Sequence, residues 1–304
     1  MGRHSPLGPD TAQFPESGRL DLRHNAQRTG DARPGATTFA RDAVSSRPMR
    51  IVTWNVNSLR ARLTRVTAWL TTEAPDVACL QELKCTEADF PRAALESLGY
   101  HCVVHGQKTY NGVAILSRTE PADIVRGFDG DPDPEKARAI AATIGGVRVL
   151  NLYVPNGQDV GTDKYAYKLA WLAALRAHLD VAYRPDQPAV LVGDFNVAPE
   201  DRDVYDAEKL RGAILVSDAE RAAYRTLLAF GLVDAYRAFD AAPGVYTWWD
   251  YRAAMFRRGR GLRIDLVLPT APLMARCTGV VVDVEERKGE GPSDHAPVVA
   301  TFHD

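Results

Sequence analysis

Five polar clusters stand where apolar runs stop, and their residue types handle phosphates and protons. Asn55 and Asn57 close the run IVTWNVN, Glu82 follows VACLQ, and Asp194 and Asn196 follow AVLVG. Asp265 sits in RIDLVL, and Asp294 and His295 precede PVVATF. Loops at strand ends are where a rigid scaffold presents functional groups. Residues at i and i+2 of a strand share a side, so Asn55 with Asn57, and Asp194 with Asn196, are each expected to point one way. An acid with an amide beside it can move a proton and orient the group that receives it. An acid directly after a buried strand, as Glu82 stands, is costly unless paired or metal-bound. An aspartate within a strand, as Asp265 reads, needs a partner such as His or Arg. Adjacent Asp294 and His295 offer a metal ligand beside a proton donor or acceptor. Each cluster also has a plainer reading: asparagines cap turns, an acid after a strand lies on an exposed loop, and a lone histidine is structural. Several acid-tipped strands in one chain weigh against those readings.

Together the clusters supply carboxylate and amide oxygens, one histidine and no cysteine. Hard oxygen ligands suit Mg2+ or Mn2+, not structural zinc. Such a set fits phosphodiester hydrolysis: a metal neutralises the phosphate, a carboxylate activates water, and His with amides holds the developing charge. The chain has no G-x-x-x-x-G-K-[ST] loop and no G-x-S-x-G elbow, which argues against a P-loop NTPase or a serine hydrolase.

These residues need strands to carry them. The patterns predict strands over Ile51–Asn57, Val77–Gln81, Gly112–Ser117, Ala139–Ile144, Val147–Val154, Ala189–Gly193, Arg263–Leu268, Val280–Val284 and Val298–Phe302. Ser58 is placed as the N-cap of a first helix carrying Leu59, Leu63, Val66 and Leu70 on one face. Further helices are expected over Tyr165–Ala182 and Asp218–Phe230. The helices are too few and too uneven for a (β/α)8 barrel, and 139–154 reads as an antiparallel hairpin. The expected fold is α+β: two mixed β-sheets packed face to face as a sandwich, with helices on the outer faces.

Bulk composition excludes several classes. The 304 residues are 45% hydrophobic and 25% charged with a net charge of −2, as in an ordinary globular protein. No apolar run reaches the ~18 residues of a membrane span, so no membrane partner is expected, and any nucleic-acid contact must come from a local patch. Cys79, Cys85, Cys102 and Cys277 lack metal or redox spacing and read as reduced packing thiols of a cytoplasmic protein. Residues 1–48 are Pro- and Gly-rich, without periodicity and without the apolar core of a secretory signal. They are expected to be a disordered extension, with Met49 the biological start and 49–304 one catalytic domain.

In their order along the chain, WNVNSLRAR, LQELK, LYVPNG, GDFNVAP, WWDYR…GLRIDLVL and SDHAPV resemble exodeoxyribonuclease III, the bacterial AP endonuclease family. That family lies in the endonuclease/exonuclease/phosphatase superfamily with the DNase I-like fold. The resemblance covers roughly 50–302. It implies Asn55, Glu82, Asp194, Asn196, Asp294 and His295 as the metal surroundings. It implies Tyr153, Asp194, Asn196, Asp265 and His295 as the catalytic set, with Asp265 orienting the histidine. Asn57 and Asn156 would face the substrate, and Trp248, Leu262 and Ile264 would line an apolar pocket for a base-free sugar. Leu83 stands where the family usually has Thr, leaving Glu82 and Lys84 in register. The implied partner is duplex DNA with abasic sites or blocked 3′ ends, cut with Mg2+ or Mn2+ by a monomer that meets the nucleoid through its DNA.

Two other classes share these motifs: a phosphatase or phosphodiesterase for a small molecule or lipid, and a non-catalytic DNA-binding protein on the same fold. The stretch Tyr251–Ile264 holds five arginines and no acid, which favours DNA. Arg257 and Arg258 are its expected backbone contacts, the plainer reading being a solvated loop. Retention of every motif carboxylate, amide and histidine argues against a decayed, non-catalytic chain.

Overall fold

Runs of β-branched and aliphatic residues build eleven strands in the computed structural model, which describes residues 47–303. Apart from Arg47 and Pro48, the expected N-terminal extension lies outside the described residues. The first sheet contains β1 (Met49–Asn55), β2 (Val77–Gln81), β3 (His101–His105), β4 (Val113–Ser117), β10 (Cys277–Val282) and β11 (Val298–Phe302). The second contains β5 (Ala122–Arg126), β6 (Ala139–Ile144), β7 (Val147–Tyr153), β8 (Ala189–Asp194) and β9 (Asp265–Pro269). Their orders are β10-β11-β1-β2-β4-β3 and β5-β6-β7-β8-β9. The helices are α1 (Leu63–Glu73), α2 (Arg92–Glu96), α3 (Asp163–Ala182), α4 (Ala207–Leu210), α5 (Asp218–Leu228), α6 (Ala235–Phe239) and α7 (Ala271–Met274).

Strand alternation sorts the side chains into three layers. Ile51, Cys79 and Ile115 meet Ile140, Val149, Val190 and Val192 between the sheets. On the opposite face of the first sheet, Val52, Trp54 and Leu80 pack on Val66, Trp69 and Leu70 of α1. On the outer face of the second, Leu150, Leu152 and Leu191 pack on Trp171, Leu172, Leu175 and Leu179 of α3 and on α5. The expected sandwich with outer helices is therefore present, and 139–154 forms the expected antiparallel hairpin of β6 and β7.

Each sheet has one parallel pair, β1 with β2 and β7 with β8. A parallel pair needs a crossover, and α1 and α3 lie on those crossovers. Toward the C-terminal ends of these four strands the inward positions turn polar. Asn151 Nδ2 on β7 donates across the gap to the carbonyls of Leu80 (2.9 Å) and Ala114 (2.8 Å). Its Oδ1 accepts from Gln81 Nε2 at 2.7 Å, and that amide also donates to Thr53 Oγ1 at 2.9 Å. This clasp joins the two sheets one residue pair below the strand ends.

Several expectations change. Ser58 does not cap a helix: it lies at φ 85°, and the backbone N–H groups of Val56, Ser58 and Leu59 donate to the carbonyls of Gln81, Glu82 and Leu83. The chain follows β2 outward before a 3-10 turn at Arg60–Arg62 leads into α1. Side-chain caps form instead at Thr162, accepting from the Tyr165 N–H, at Ser217, in a reciprocal box with Glu220, and at Asp206 and Asp234. Strands β3 and β5 carried no expectation, because HCVVH is short and ADIVR is an exposed edge strand without an apolar face.

Gly193 precedes Asp194 on β8 at φ +147°, and a Cβ there would lie 1.9 Å from the Leu152 carbonyl oxygen of the paired strand. Gly193→Ala must therefore push β7 and β8 apart. It is expected to cost at least ~3 kcal/mol of stability, the range of buried steric and backbone defects. Urea unfolding measures this, and a midpoint equal to that of the parent protein would refute the close-approach argument.

Candidate active site

The parallel pairs deliver Asn55, Glu82, Tyr153 and Asp194 to one end of the inter-sheet space. Strand β9 runs antiparallel to β8, so its first residue, Asp265, lies opposite Asp194 in register. Strand β11 runs antiparallel to β1, so the segment before it brings Asp294 and His295 to the same end. Strand direction alone thus gathers residues from six segments of the chain.

Asp265, the first residue of a strand and not interior to one, turns both carboxylate oxygens to one ring nitrogen. Its Oδ2 lies 2.9 Å and its Oδ1 3.1 Å from His295 Nδ1. His295 Nε2 is then aimed at Asp194, 3.8 Å from Oδ2. Asn55 Nδ2 donates to both Asp194 Oδ2 and Glu82 Oε1 at 2.9 Å. The Tyr153 hydroxyl donates to the same Glu82 oxygen at 2.9 Å. Ser293 Oγ donates to the Asn55 carbonyl (2.7 Å) and accepts from the His295 N–H (3.2 Å), locking the histidine segment to β1.

The amide pairs do not share sides as expected, because the chain leaves the strand between them. Asn57 and Asn196 have φ of 43° and 50°. Each N–H turns back to the residue two before it: Asn57 N–H to Asn55 Oδ1 (3.0 Å), and Asn196 N–H to Asp194 Oδ1 (2.9 Å). Asn57 instead donates to Asp294 Oδ1 at 2.9 Å and accepts from Lys84 Nζ at 2.5 Å. Asn196 donates to the Val154 carbonyl and accepts from Asn156 Nδ2 at 2.9 Å. A residue that carried no expectation lies below this second pair. Lys168 Nζ donates to the carbonyls of Asn196 (2.5 Å) and Asn156 (3.1 Å) and pairs with buried Glu220. Its signal was a lysine in the same helical stripe as Leu172, Leu175 and Leu179.

Glu82, Asp194 and His295 offer ligand atoms that all lie within 4.8 Å of one another. Two carboxylates converging at the mouth of a sandwich fit a hard divalent cation, and Glu82, Asp194 and Asn55 are the residues that would hold it. Glu82 also has a cation partner that its sequence context did not announce, Lys84 Nζ at 2.8 Å from Oε2. Asp294 stands apart from the three, its oxygens bonded to Asn57 and to Trp248 Nε1 (3.0 Å).

Trp248, Leu262 and Ile264 come together in one apolar cluster beside the site, with Trp248 half-buried and the other two buried. Arg257 and Arg258 are exposed. Arg263 is not: its guanidinium is buried on Asp203 and Asp234, so the arginine stretch offers one surface cation fewer than its sequence suggested.

Burial of so many charges moves their titration. Burial, then the Asp265 and Glu82 charges, push Asp194 up to about 7, against the pull of His295 and the Asn55 bond. Burial opposes the charged imidazole of His295, but Asp265 and Asp194 outweigh it and push it up to about 10. Burial likewise works to raise Glu82, yet the Lys84 charge and the Asn55 bond prevail and hold it below its ordinary value. At neutral pH the site then holds an imidazolium hydrogen-bond donor beside a carboxyl near its titration point. That combination suits stabilisation of phosphate charge with proton transfer.

The family model described as Endonuclease/Exonuclease/phosphatase family matches residues 52–295. Exodeoxyribonuclease III of Haemophilus influenzae is 36% identical over 266 residues, covering 84% of this chain and all of that protein. Among solved structures, the 3′ phosphatase NExo from Neisseria, bound to a product DNA hairpin, superposes with a TM-score of 0.81. It is 47% identical and covers 84% of this chain and all of its own. An AP endonuclease from Archaeoglobus fulgidus gives a TM-score of 0.81 at 42% identity, covering 84% of this chain and 99% of that one.

In metal-free protein the His295 ring should still be protonated at pH 8, and its NMR titration should fall well above the ordinary 6.5. The sign follows by linkage: a raised value means that stability from this group is complete below about pH 6.5 and is lost as pH climbs toward 10. A ring that titrates near 6.5 would show that Asp265 does not hold the imidazolium.

Proposed function

The chain belongs to the endonuclease/exonuclease/phosphatase family, in its exodeoxyribonuclease III and AP endonuclease branch, and from that membership we propose a DNA repair nuclease. It hydrolyses the phosphodiester 5′ to abasic sites in duplex DNA, with 3′-to-5′ exonuclease and 3′-phosphatase or phosphodiesterase activity at blocked 3′ ends. The observation that carries this reading is the line from Asp265 through His295 to Asp194, meeting Glu82 and Asn55 at the mouth of the sandwich. Residues 49–304 serve as one catalytic domain, working as a monomer in the cytoplasm and meeting the nucleoid through DNA. No helix among the described residues is long and apolar enough to cross a membrane.

Mg2+, with Mn2+ as a substitute, is the proposed cation; when bound it neutralises the phosphate and stabilises the leaving oxygen. The protein groups do the rest. Asp265 fixes the ring of His295, whose Nε2 proton faces the phosphate oxygen. Asp194 takes the proton of the attacking water, and Asn196 with Asn156 forms an amide platform for the phosphate. Tyr153, whose phenol is raised well above 10 by burial and then by the Glu82 and Asp194 charges, stays a neutral donor. Arg257 and Arg258 hold the DNA backbone. Trp248 supplies the exposed wall of a small apolar pocket, backed by Leu262 and Ile264, that admits a bare deoxyribose and has no room for a base.

On a duplex with one abasic-site analogue, cleavage is expected with Mg2+ and not in EDTA. Glu82→Gln should lose most activity at low Mg2+, and Asp194→Asn and His295→Asn should each lower turnover at least ~100-fold with little change in DNA binding. Full cleavage in EDTA, or a small ester cleaved while abasic DNA is left intact, would overturn the assignment. For Trp248→Ala the expected outcome is a modest stability loss of about 1–3 kcal/mol, because the ring is half-buried. Preference for abasic over intact duplex, as the ratio of kcat/KM, should fall about tenfold. An unchanged ratio with a large drop in Tm would make Trp248 a core residue.

A further inference from the structure

Arg287 lies in a 3-10 turn before the histidine segment, at Val284–Arg287, and is 5% exposed. Burying a guanidinium is costly unless a carboxylate compensates it, yet no carboxylate pairs with this one among the described residues. Its surroundings are three aromatic rings and two carbonyls. The guanidinium carbon lies 5.0 Å from the ring centroid of Phe256, 5.5 Å from Tyr251 and 5.8 Å from Trp249. One nitrogen donates to the Ser293 carbonyl and another to the Trp249 carbonyl at 3.4 Å. Phe256 and Trp249 stack edge to face at 5.2 Å. The Trp249 N–H donates to the Asp294 carbonyl at 3.0 Å, and the Tyr251 hydroxyl donates to the Pro292 carbonyl at 2.8 Å.

These contacts join two segments. One is the loop whose next residues after Phe256 are Arg257 and Arg258. The other is the run from Pro292 to His295, whose Ser293 is tied to β1. Besides this cage the loop is held by its own turn bonds, by Arg62, which donates to the Tyr251 hydroxyl at 3.0 Å, and by Arg260, which lies 5.9 Å from the Tyr205 ring centroid; Ala253 and Ala254 lie in the left-handed region at φ 55° and 52°, and Arg257 and Arg258 are exposed. A flat guanidinium stacks on rings and directs several N–H groups at fixed angles, which a lysine ammonium cannot do.

We propose that Arg287 is a positioning residue that holds the arginine-bearing loop in register with the histidine segment, so that Arg257 and Arg258 meet the DNA backbone while the phosphate meets His295. The inference rests on the reading of that loop as a backbone contact. Arg287 itself touches no DNA; it acts through Phe256 and Trp249.

The test is equilibrium binding of the full chain to an abasic-analogue duplex in EDTA, by fluorescence anisotropy across a range of salt. Replacing Arg257 and Arg258 together by Ala should lower the log–log salt slope by about two units, one per lost phosphate contact. Arg287→Lys should lower it by about one unit or more, although both contacting arginines remain. Phe256→Leu, which opens the cage from the loop side, should do the same and carries the test should the Arg287 variant not fold. Arg287→Lys added to the double alanine variant should change the slope no further, because the interaction it positions is already gone. A parental slope for Arg287→Lys with a flattened slope for the alanine pair would overturn the inference and leave the loop's DNA contact standing. So would an additive loss. A parental slope for the alanine pair would overturn the backbone contact itself, and the inference with it.

Discussion

Three carboxylates converge at one nearly dry place, and the rest of the site answers their mutual repulsion. Two unit charges about 4 Å apart repel by ~4 kcal/mol at the effective dielectric of a protein boundary. Glu82, Asp194 and Asp265 could not all ionise there unaided. Asp265 gains the ring of His295, Glu82 gains Lys84, and Asn55 spans Glu82 and Asp194 with one amide. What remains uncompensated falls on Asp194, whose carboxyl is pushed up to about 7 and so holds a proton more tightly than an ordinary aspartate does. The negative potential that makes the cluster expensive is also what would draw a divalent cation to it and what keeps His295 charged. Catalytic readiness and structural cost are the same electrostatic fact.

The fold supplies that place by grading the space between its sheets. Deep inside, Ile51, Val190 and Val192 face one another. Further out come Thr53, Gln81 and Asn151, fully buried and bonded across the gap. At the mouth stand Asn55, Tyr153 and Asp194. The same inward-pointing positions of the same strands thus change from oil to amide to acid over a few residues. The amide layer matters because it fixes the separation of the two sheets immediately beneath groups that come from both of them. Losing it would remove the hydrogen bonds that tie Leu80, Gln81 and Ala114 to β7 across the gap, as well as loosening the mouth.

Much of this was readable in the sequence, for a physical reason. A buried strand must be apolar and a functional group must be polar, so the point of change marks the end of the strand and the start of the site together. That is why Glu82, Asp194, Asp265 and His295 stand out, and why the two-sheet sandwich follows from the alternation. What stayed hidden depends on partners distant in the chain or on local backbone reversal. Asn57 and Asn196 turn away because the chain enters the left-handed region, which no strand pattern reveals. Arg263 reads as one more loop cation until Asp203 and Asp234 are seen around it. Lys168 reads as a surface lysine until its stripe on α3 is matched to the carbonyls beneath Asn156 and Asn196. The edge strand β5 lacks the buried face by which a strand is recognised.

The pairing of β1 with β11 has a consequence for biosynthesis. Trp54 at the end of β1 meets the His295 carbonyl across 241 residues of sequence, and the strand that seats the histidine pairs beside β1 at the centre of the first sheet. At a synthesis rate of ~5–20 residues per second, β1 leaves the ribosome about 10–50 s before its neighbour does. Through that interval one edge of a central strand stands open and the carboxylates lack their imidazole. Until β11 arrives, the open edge of β1 offers its unpaired backbone groups to any other strand.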